Sequence, residues 1–488
     1  MTDKAGNFAG FVILSFFPAV ILALVCVFLI RRRVGRYMRQ RVRSLSGAMR
    51  VVERDGGAPL ELADETAPRT PLSDAGRSLF DRMRNVRRSA AAMYFLAGLA
   101  AASVFAAGAG KSRLLMVVFI WPAVLTVSTV AVPSLRKRTL VLGVTGLALF
   151  GITHEAGMVS LLDFLIFPTL LLLLVENRAL RTVAPVVMLI EIVVGGASAA
   201  AGGFGSFVAL LLAGLLALSL LPWAYERKYF SDLSFQLAFV WIVFAAAYGY
   251  TSHFGGWRYA AAALALYAGL VRLTLPLLRR AARRHRPASL LVLRVFGSPG
   301  RSARLLEHIG MRWRTVGPIH LIAGADTAIN NLDLSEMFRF LTFRFRSVYV
   351  QDADLDRRLE KLDCAADPDG RYRVNDFFCF DDTWKRTFTE LLHRSDAILL
   401  DLSGFGPKNA GVAFELGHLL GSRPLGSFVL IADRKTDIDY LRATLIRLWR
   451  QLDPSAPNAA LEHPVLRLLH DPPASRLVAA LCDAAAAG

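Results

Sequence analysis

Long runs of uncharged, apolar residues dominate the chain as far as Pro287. The first run, 8–30, has 23 consecutive uncharged residues and is followed at once by three arginines. About 20 such residues are enough to cross a hydrocarbon core of about 30 Å. The positive charges follow the run instead of preceding it, which favours an uncleaved anchor over a secretory signal peptide. The chain is therefore predicted to begin with a membrane span.

Eight further spans are predicted, which gives about nine in all. They lie at 90–109, 114–132, 139–153, 156–175, 182–201, 204–222, 233–251 and 259–278. The loops on one side of such a bundle carry 27 Lys and Arg, whereas the loops on the other side, with the N-terminus, carry four. Basic loops stay in the cytoplasm, so the N-terminus is predicted outside and the C-terminus inside.

The composition changes after the last span. Residues 289–488 contain 25 Lys and Arg and 25 Asp and Glu, as expected of a soluble domain. We therefore predict a membrane anchor, a basic cytoplasmic linker, a multi-span bundle, a basic juxtamembrane linker and a cytoplasmic domain. Their ranges are 1–30, 31–89, 90–278, 279–288 and 289–488.

The net charge of +18 belongs entirely to the predicted membrane half, which holds 32 basic and 14 acidic residues. Charge beside spans is typical of contact with anionic lipid headgroups, so lipids are expected partners and nucleic acid is not. The four cysteines show neither disulfide nor zinc spacing, and no metal site or bound cofactor is predicted. The many Ala and Arg residues are typical of a GC-rich bacterial genome. The predicted location is the cell (inner or cytoplasmic) membrane, because of the spans and the charges of their loops.

Two carboxylates, Asp163 and Glu191, lie deep in apolar sequence. Ionisable residues at such positions can line a polar pathway, or can be protonated and hydrogen-bonded to neighbouring helices. The first interpretation allows a transporter or channel with a regulatory domain; the second assigns no function to the pair.

From Ser289 onward, apolar strands alternate with amphipathic helices, which predicts a flavodoxin-like or Rossmann-like parallel sheet with helices on both faces. Strands are predicted at 290–296, 319–323, 397–401 and 428–432, with further candidates near 347–350 and, as an edge strand, at 464–470. Residues 351–384 are interpreted as an insertion.

Ligands of such sheets bind beyond the carboxyl ends of the strands. The first strand is followed by Gly297, Ser298 and Arg301, which are suited to phosphate, and the second by Asp326, which can accept a ribose hydroxyl. In each case the alternative is a turn with no ligand. Trp384 could contribute, with Tyr372, Arg373 and Phe378, to an aromatic and basic wall against a base, or to a packed flap.

The segment 396–417 carries most of the functional signal. Its buried strand brings Asp401 and Ser403 to the carboxyl edge, and the helix that begins near Asn409 carries Glu415 on its second turn. Glu415 could alternatively pair with an Arg or face solvent.

The stretch 409–415 resembles the Asp-x-Gly-Thr-x-x-Glu motif of the superfamily that contains nucleoside 2-deoxyribosyltransferases and Toll/interleukin-receptor (TIR) domains. Asn409 and Val412 replace the Asp and Thr of that motif. The resemblance implies that Glu415 attacks or stabilises the anomeric carbon while an N-glycosidic bond breaks, and that Asp401 lies near the sugar.

These features predict a membrane-tethered domain that binds or processes a nucleotide, with NAD or another N-glycoside as substrate, in signalling or defence. The alternative is a non-catalytic sensor or scaffold whose domain binds a nucleotide or a protein. The sequence does not fix the oligomeric state, and a homo-oligomer is one arrangement that it allows.

Overall fold

The computed structural model describes residues 59–64, 72–109, 223–231, 233–234, 237–238, 241, 253–283, 286–294, 305–306, 309–323, 349–380 and 383–488. Six of the nine predicted spans lie entirely outside these residues, and 233–251 lies largely outside them. Six predicted site residues also lie outside the described residues: Asp163, Glu191, Gly297, Ser298, Arg301 and Asp326.

Seven parallel strands form one sheet in the order β1-β7-β6-β5-β2-β3-β4. They are β1 (Glu61–Asp64), β2 (Leu290–Arg294), β3 (Ile319–Ala323), β4 (Val374–Phe378), β5 (Ala397–Asp401), β6 (Phe428–Ala432) and β7 (Val465–His470). Every residue of β2, β5 and β6 is buried, as expected for central strands that are covered on both faces.

The described helices are α1 (Asp74–Ala109), α2 (His253–Arg283), α3 (Asp352–Glu360), α4 (Trp384–His393), α5 (Ala410–Ser422), α6 (Ile438–Arg450) and α7 (Ala474–Ala487). Alternate residues of β2 enter two separate cores, Leu291 and Leu293 on one face and Leu290 and Val292 on the other. Helices α3 to α6 cover the first face. The second is covered by α7, the first turns of α1 and the helical residues 309–313. The predicted α/β sheet with helices on both faces is confirmed.

The strand order indicates where a ligand of this sheet is expected to bind. From β2 the chain moves in one direction through β3 and β4, and then returns to the other side of β2 with β5, β6 and β7. Among these six strands the order is 3-2-1-4-5-6, which is the Rossmann order and not the flavodoxin-like one. The direction reverses between β2 and β5, and sheets with this strand order typically bind ligands at the carboxyl edge beside such a reversal.

Two predicted features of the domain are wrong. The segment 464–470 is not an edge strand, because β1 pairs with β7 on its outer side. The segment 351–384 is not a simple insertion either, since it supplies α3 and the sheet strand β4. The candidate strand near 347–350 is reduced, among the described residues, to a single parallel bridge between Tyr349 and Phe378.

The segment predicted as a linker, 31–89, contributes β1 and the first turns of α1. The serine before α1, Ser73, donates through its backbone N–H and its hydroxyl to Asp483 of α7, at 2.9 and 2.6 Å. Further along α1, Arg82 donates to the carbonyl of Val316 at 3.3 Å. This part of the chain is therefore packed on the domain.

Helices α1 and α2, which contain the predicted spans 90–109 and 259–278, pack against each other. Tyr94 and Ala97 of α1 and Tyr267 of α2 are buried, whereas Leu273 of α2 is 75% exposed. Within the described residues one stretch, Ala261–Arg280, is long and apolar enough to cross a membrane. The described residues thus do not support a bundle of nine spans, which stays a prediction.

Candidate functional site at the carboxyl edge

The two strands that flank the reversal point end in residues of opposite charge. Arg294 is the last residue of β2, Asp401 is the last residue of β5, and the two are paired in register. Both are about 2% exposed. Only residues 284–289 separate α2 from β2, so the strands run away from α2 and this edge lies at the far side of the sheet.

The loop that follows β5 is held by hydrogen bonds to its backbone. The Asp401 carboxylate accepts from the N–H of Ser403 at 3.0 Å, and Asn409 accepts from the N–H of Gly406 at 3.0 Å. Gly404 has a φ of 72°, a conformation in which a side chain is strained. Asp401 and Asn409 therefore shape the loop, a role that the sequence analysis did not assign to them.

Asp433 is a residue of this edge that the sequence analysis missed. Its carboxylate accepts from the N–H of Gly404 at 2.9 Å, the N–H of Lys435 at 3.1 Å and the hydroxyl of Thr436 at 2.9 Å. It joins the loop after β6 to the loop after β5. The available signal was its position, an Asp at the carboxyl end of a buried strand, since Asp433 directly follows β6 and Asp401 is the last residue of β5.

Glu415 lies on the buried face of α5. It shares that face with the apolar residues Val412, Leu416 and Leu419, and it is only 3% exposed. Burial raises the pKa of Glu415 to about 8, against the opposing effect of the Arg294 charge. A carboxyl group with that pKa is mostly neutral at pH 7, so it can donate as well as accept a hydrogen bond.

Two buried polar atoms at this edge have no hydrogen-bond partner among the described residues: Oε2 of Glu415 and Oγ of Ser403. Leaving a buried polar group without a partner costs about 1–3 kcal/mol, and such groups are commonly met by water or a ligand. The pair therefore offers one carboxyl and one hydroxyl to a polar ligand.

Trp384 lies beside the N-terminus of α5. Its ring would be 3.7 Å from a Cβ placed on Gly411, and it makes an edge contact with the ring of Phe414, with centroids 5.5 Å apart. Lys385 lies above the same Phe414 ring at 4.7 Å. A distance of 3.7 Å is ordinary van der Waals contact, so an alanine at 411 would also fit beside Trp384, which is only partly buried.

The predicted aromatic and basic wall is not formed. Tyr372 and Arg373 precede β4, and Arg373 is buried against Asp367 and Tyr225 at the amino edge of the sheet, whereas Trp384 follows β4 at the opposite edge. The strand separates residues that are close in sequence. Of the predicted site residues, Asp401, Ser403, Asn409, Glu415 and Trp384 all belong to the carboxyl edge.

Comparison of the chain with protein-family models, with curated proteins and with solved structures found no match. Among the described residues, no group of three or more His, Cys, Asp or Glu could hold a metal ion.

Proposed function

We propose that the C-terminal α/β domain binds a nucleotide or a related N-glycoside, such as NAD, in the crevice between β2 and β5. The observation that carries this proposal is the buried carboxyl of Glu415, which has an oxygen without a partner in the described residues and lies close enough to Arg294 for their charges to interact. Sheets with the Rossmann order bind their ligands at the point where the strand order reverses. Glu415 is a buried polar group near this point, and such groups commonly orient a bound ligand.

The chemistry of the edge fits a ligand with hydroxyl groups and negative charge. Ser403 and neutral Glu415 can each donate to and accept from a ribose hydroxyl or an amide. Arg294 supplies a guanidinium for a phosphate group. A Rossmann order alone does not establish a ligand, and the proposal depends on these three side chains.

The experiment is a thermal-unfolding screen of the full-length protein in detergent with NAD, ATP and adenosine, because a ligand that binds only the folded state raises Tm. We expect at least one of these compounds to raise the Tm of the wild type and to have a smaller effect on Ser403→Ala. The absence of any shift at millimolar concentration would contradict the proposal.

A second candidate function is cleavage of the N-glycosidic bond, which the resemblance of 409–415 favours. Capture or stabilisation of an oxocarbenium-like centre requires the Glu415 carboxylate, and the raised pKa keeps that group mostly neutral in the unliganded domain. The positive charge of the nicotinamide ring of NAD would lower this pKa and favour ionisation.

Turnover is tested by incubating the full-length protein with NAD and with nucleosides and separating the products by chromatography. If Glu415 is the catalytic residue, the wild type releases the free base and Glu415→Gln does not. Binding without turnover would instead support the non-catalytic reading, in which the domain is a nucleotide sensor or a scaffold for a partner.

We also propose that about nine spans anchor the domain in the inner membrane, with the N-terminus outside and the domain in the cytoplasm. The asymmetry of Lys and Arg between alternate loops supports this arrangement, and so does the basic end of α2, where Arg279, Arg280 and Arg283 precede the domain. A reporter fused to Gly488 should be active only in the cytoplasm. Activity outside the cell would contradict the arrangement.

A further inference from the structure

A second cluster of buried charges lies at the amino edge of the sheet, opposite the candidate site. It is formed by residues 363–373 of the domain, called here the docking loop, and by residues 223–231, called here the interspan loop. The interspan loop lies within the predicted cytoplasmic connection 223–232 between two spans. The cluster therefore joins the α/β domain to the predicted membrane part of the chain.

Arg373 is the centre of this cluster. Its Nε donates to Asp367 at 2.9 Å, and its Nη2 donates to the carbonyl oxygen of Tyr225 at 2.5 Å. The centre of the guanidinium lies 3.8 Å above the Tyr225 ring. Asp367 is fully buried and Arg373 is only 9% exposed, so the interspan loop completes the surroundings of a charge that has little contact with water.

Three further contacts connect the loops. Lys228 forms an ion pair with Asp363 and donates to the carbonyl oxygen of Ala365, and Ser231 donates to the fully buried Asp369. Lys228 has a φ of 58°, which residues other than glycine rarely adopt. Such a conformation persists where its surroundings impose it, and it is enriched in ligand clamps and switch regions.

These contacts favour two discrete arrangements over a graded one. If the interspan loop withdrew, Arg373 would lose Tyr225 and Asp369 would lose Ser231. Arg373 would keep Asp367, and Asp369 would keep the N–H of Arg371, but each buried charge would lose part of its hydrogen bonding. Removing such partners from a buried charge is unfavourable, so we expect the docking loop to rearrange and expose these groups to water. The position of the spans and the conformation of the docking loop are thereby linked.

The docking loop is also joined to the candidate site. The N–H of Tyr372 donates to the carbonyl of Arg314 at 2.6 Å, which fixes the loop beside β3. Arg373 is followed directly by β4, which leads to α4 and its first residue Trp384, and the Trp384 ring contacts the ring of Phe414 in α5. A movement of the docking loop therefore has a path of packed residues to the helix that carries Glu415.

We propose that the docking loop is a coupling element through which the membrane part of the chain controls the conformation of the carboxyl-edge site. The functional meaning of this coupling rests on the proposed function, since it is the proposed ligand whose binding would be controlled. The coupling itself is a property of the unliganded protein and is tested without a ligand.

The test is hydrogen exchange followed by mass spectrometry on the full-length protein in detergent. Lys228→Ala removes the ion pair from the interspan side, and Lys228→Arg retains the charge. Asp363→Asn removes the pair from the domain side, together with the 3.7 Å ion pair between Asp363 and Arg373, so Lys228→Ala is the more specific of the two. Asp354→Asn is the control, because Asp354 pairs at 2.7 Å with Arg357 on its own helix and has no contact with the interspan loop among the described residues.

We expect Lys228→Ala and Asp363→Asn to accelerate exchange about tenfold both in 363–373 and in 401–416, a typical size for coupling between sites. Lys228→Arg and Asp354→Asn should leave both segments unchanged. Faster exchange in 363–373 alone would show a purely local contact and overturn the proposal, as would no change in either segment. If the coupled change occurs but NAD, ATP and adenosine all fail to bind, the coupling stands and the proposed ligand is wrong.

Discussion

Replacing Glu415 by glutamine should make the protein more stable at neutral pH. The folded state holds the proton of this carboxyl up to a pKa of about 8, whereas an exposed carboxyl with the ordinary pKa of 4.5 releases it earlier. Between these values the folded state binds more protons than the unfolded state. Stability from this group is therefore fully present below about pH 4.5 and is lost as the pH rises through about 8.

The size of the effect follows from the pKa shift. At pH 7 the carboxyl is about two and a half pH units above its ordinary pKa, and at about 1.4 kcal/mol per unit its burial costs about 3 kcal/mol. Glutamine has nearly the same shape and does not titrate, so Glu415→Gln avoids this cost. For a domain of about 200 residues the gain corresponds to a Tm higher by about 6–12 °C.

The assay is thermal unfolding of the full-length protein in detergent from pH 5 to pH 8, with the exposed Glu462→Gln as the matched control. The Tm advantage of Glu415→Gln should be small at pH 5 and should grow steadily toward pH 8, while Glu462→Gln follows the wild type. Equal Tm values for Glu415→Gln and the wild type across this range would show that Glu415 is ionised and compensated, and the inference of a neutral carboxyl would fail.

Substitutions at three further positions test how the loops of the domain are held, each by thermal unfolding. Asn458 makes three hydrogen bonds to backbone groups in 420–425, so Asn458→Ala should lower stability by about 3 kcal/mol, and a loss below about 0.5 kcal/mol would contradict that role. Gly404→Ala should lower the free energy of unfolding by about 1–2 kcal/mol, because residue 404 has a positive φ that strains a side chain. An unchanged Tm would show that the loop adopts another conformation. Asp433→Ala should lower the free energy of unfolding by at least about 1 kcal/mol more than Asp433→Asn does, because asparagine keeps an acceptor. Equal losses for the two variants would argue against the hydrogen bonds to Gly404 and Thr436.

The strands that sequence reasoning found are those whose composition alone identifies them. β5 and β6 read as continuous apolar runs because both of their faces are buried, and their predicted bounds agree with the structure. β4 was missed because Asn375 and Asp376 interrupt its apolar pattern. β1 has only four residues, and its partner lies about 400 residues away, so nothing local indicates it.

The candidate site was predictable in part for the same reason. Asp401 ends a recognisable strand, and Glu415 lies in the motif-like stretch 409–415 that follows it. Arg294 was read only as part of a strand, since its significance depends on the pairing of β2 with β5, and that pairing is a long-range property. The wall of Tyr372, Arg373, Phe378 and Trp384, one of the two arrangements that the sequence allowed, does not form, because β4 separates Tyr372 and Arg373 from Trp384 by the length of a strand.

The location of the proposed ligand is tested most directly by photocrosslinking. An azido-adenine derivative of NAD would be irradiated with the full-length protein in detergent, and the labelled peptides would be identified by mass spectrometry. Labelling within 402–416, lost on competition with unmodified NAD, is the predicted result. Specific labelling confined to the amino edge, for example in 311–318 or 394–397, would contradict the assignment of the site to the crevice between β2 and β5.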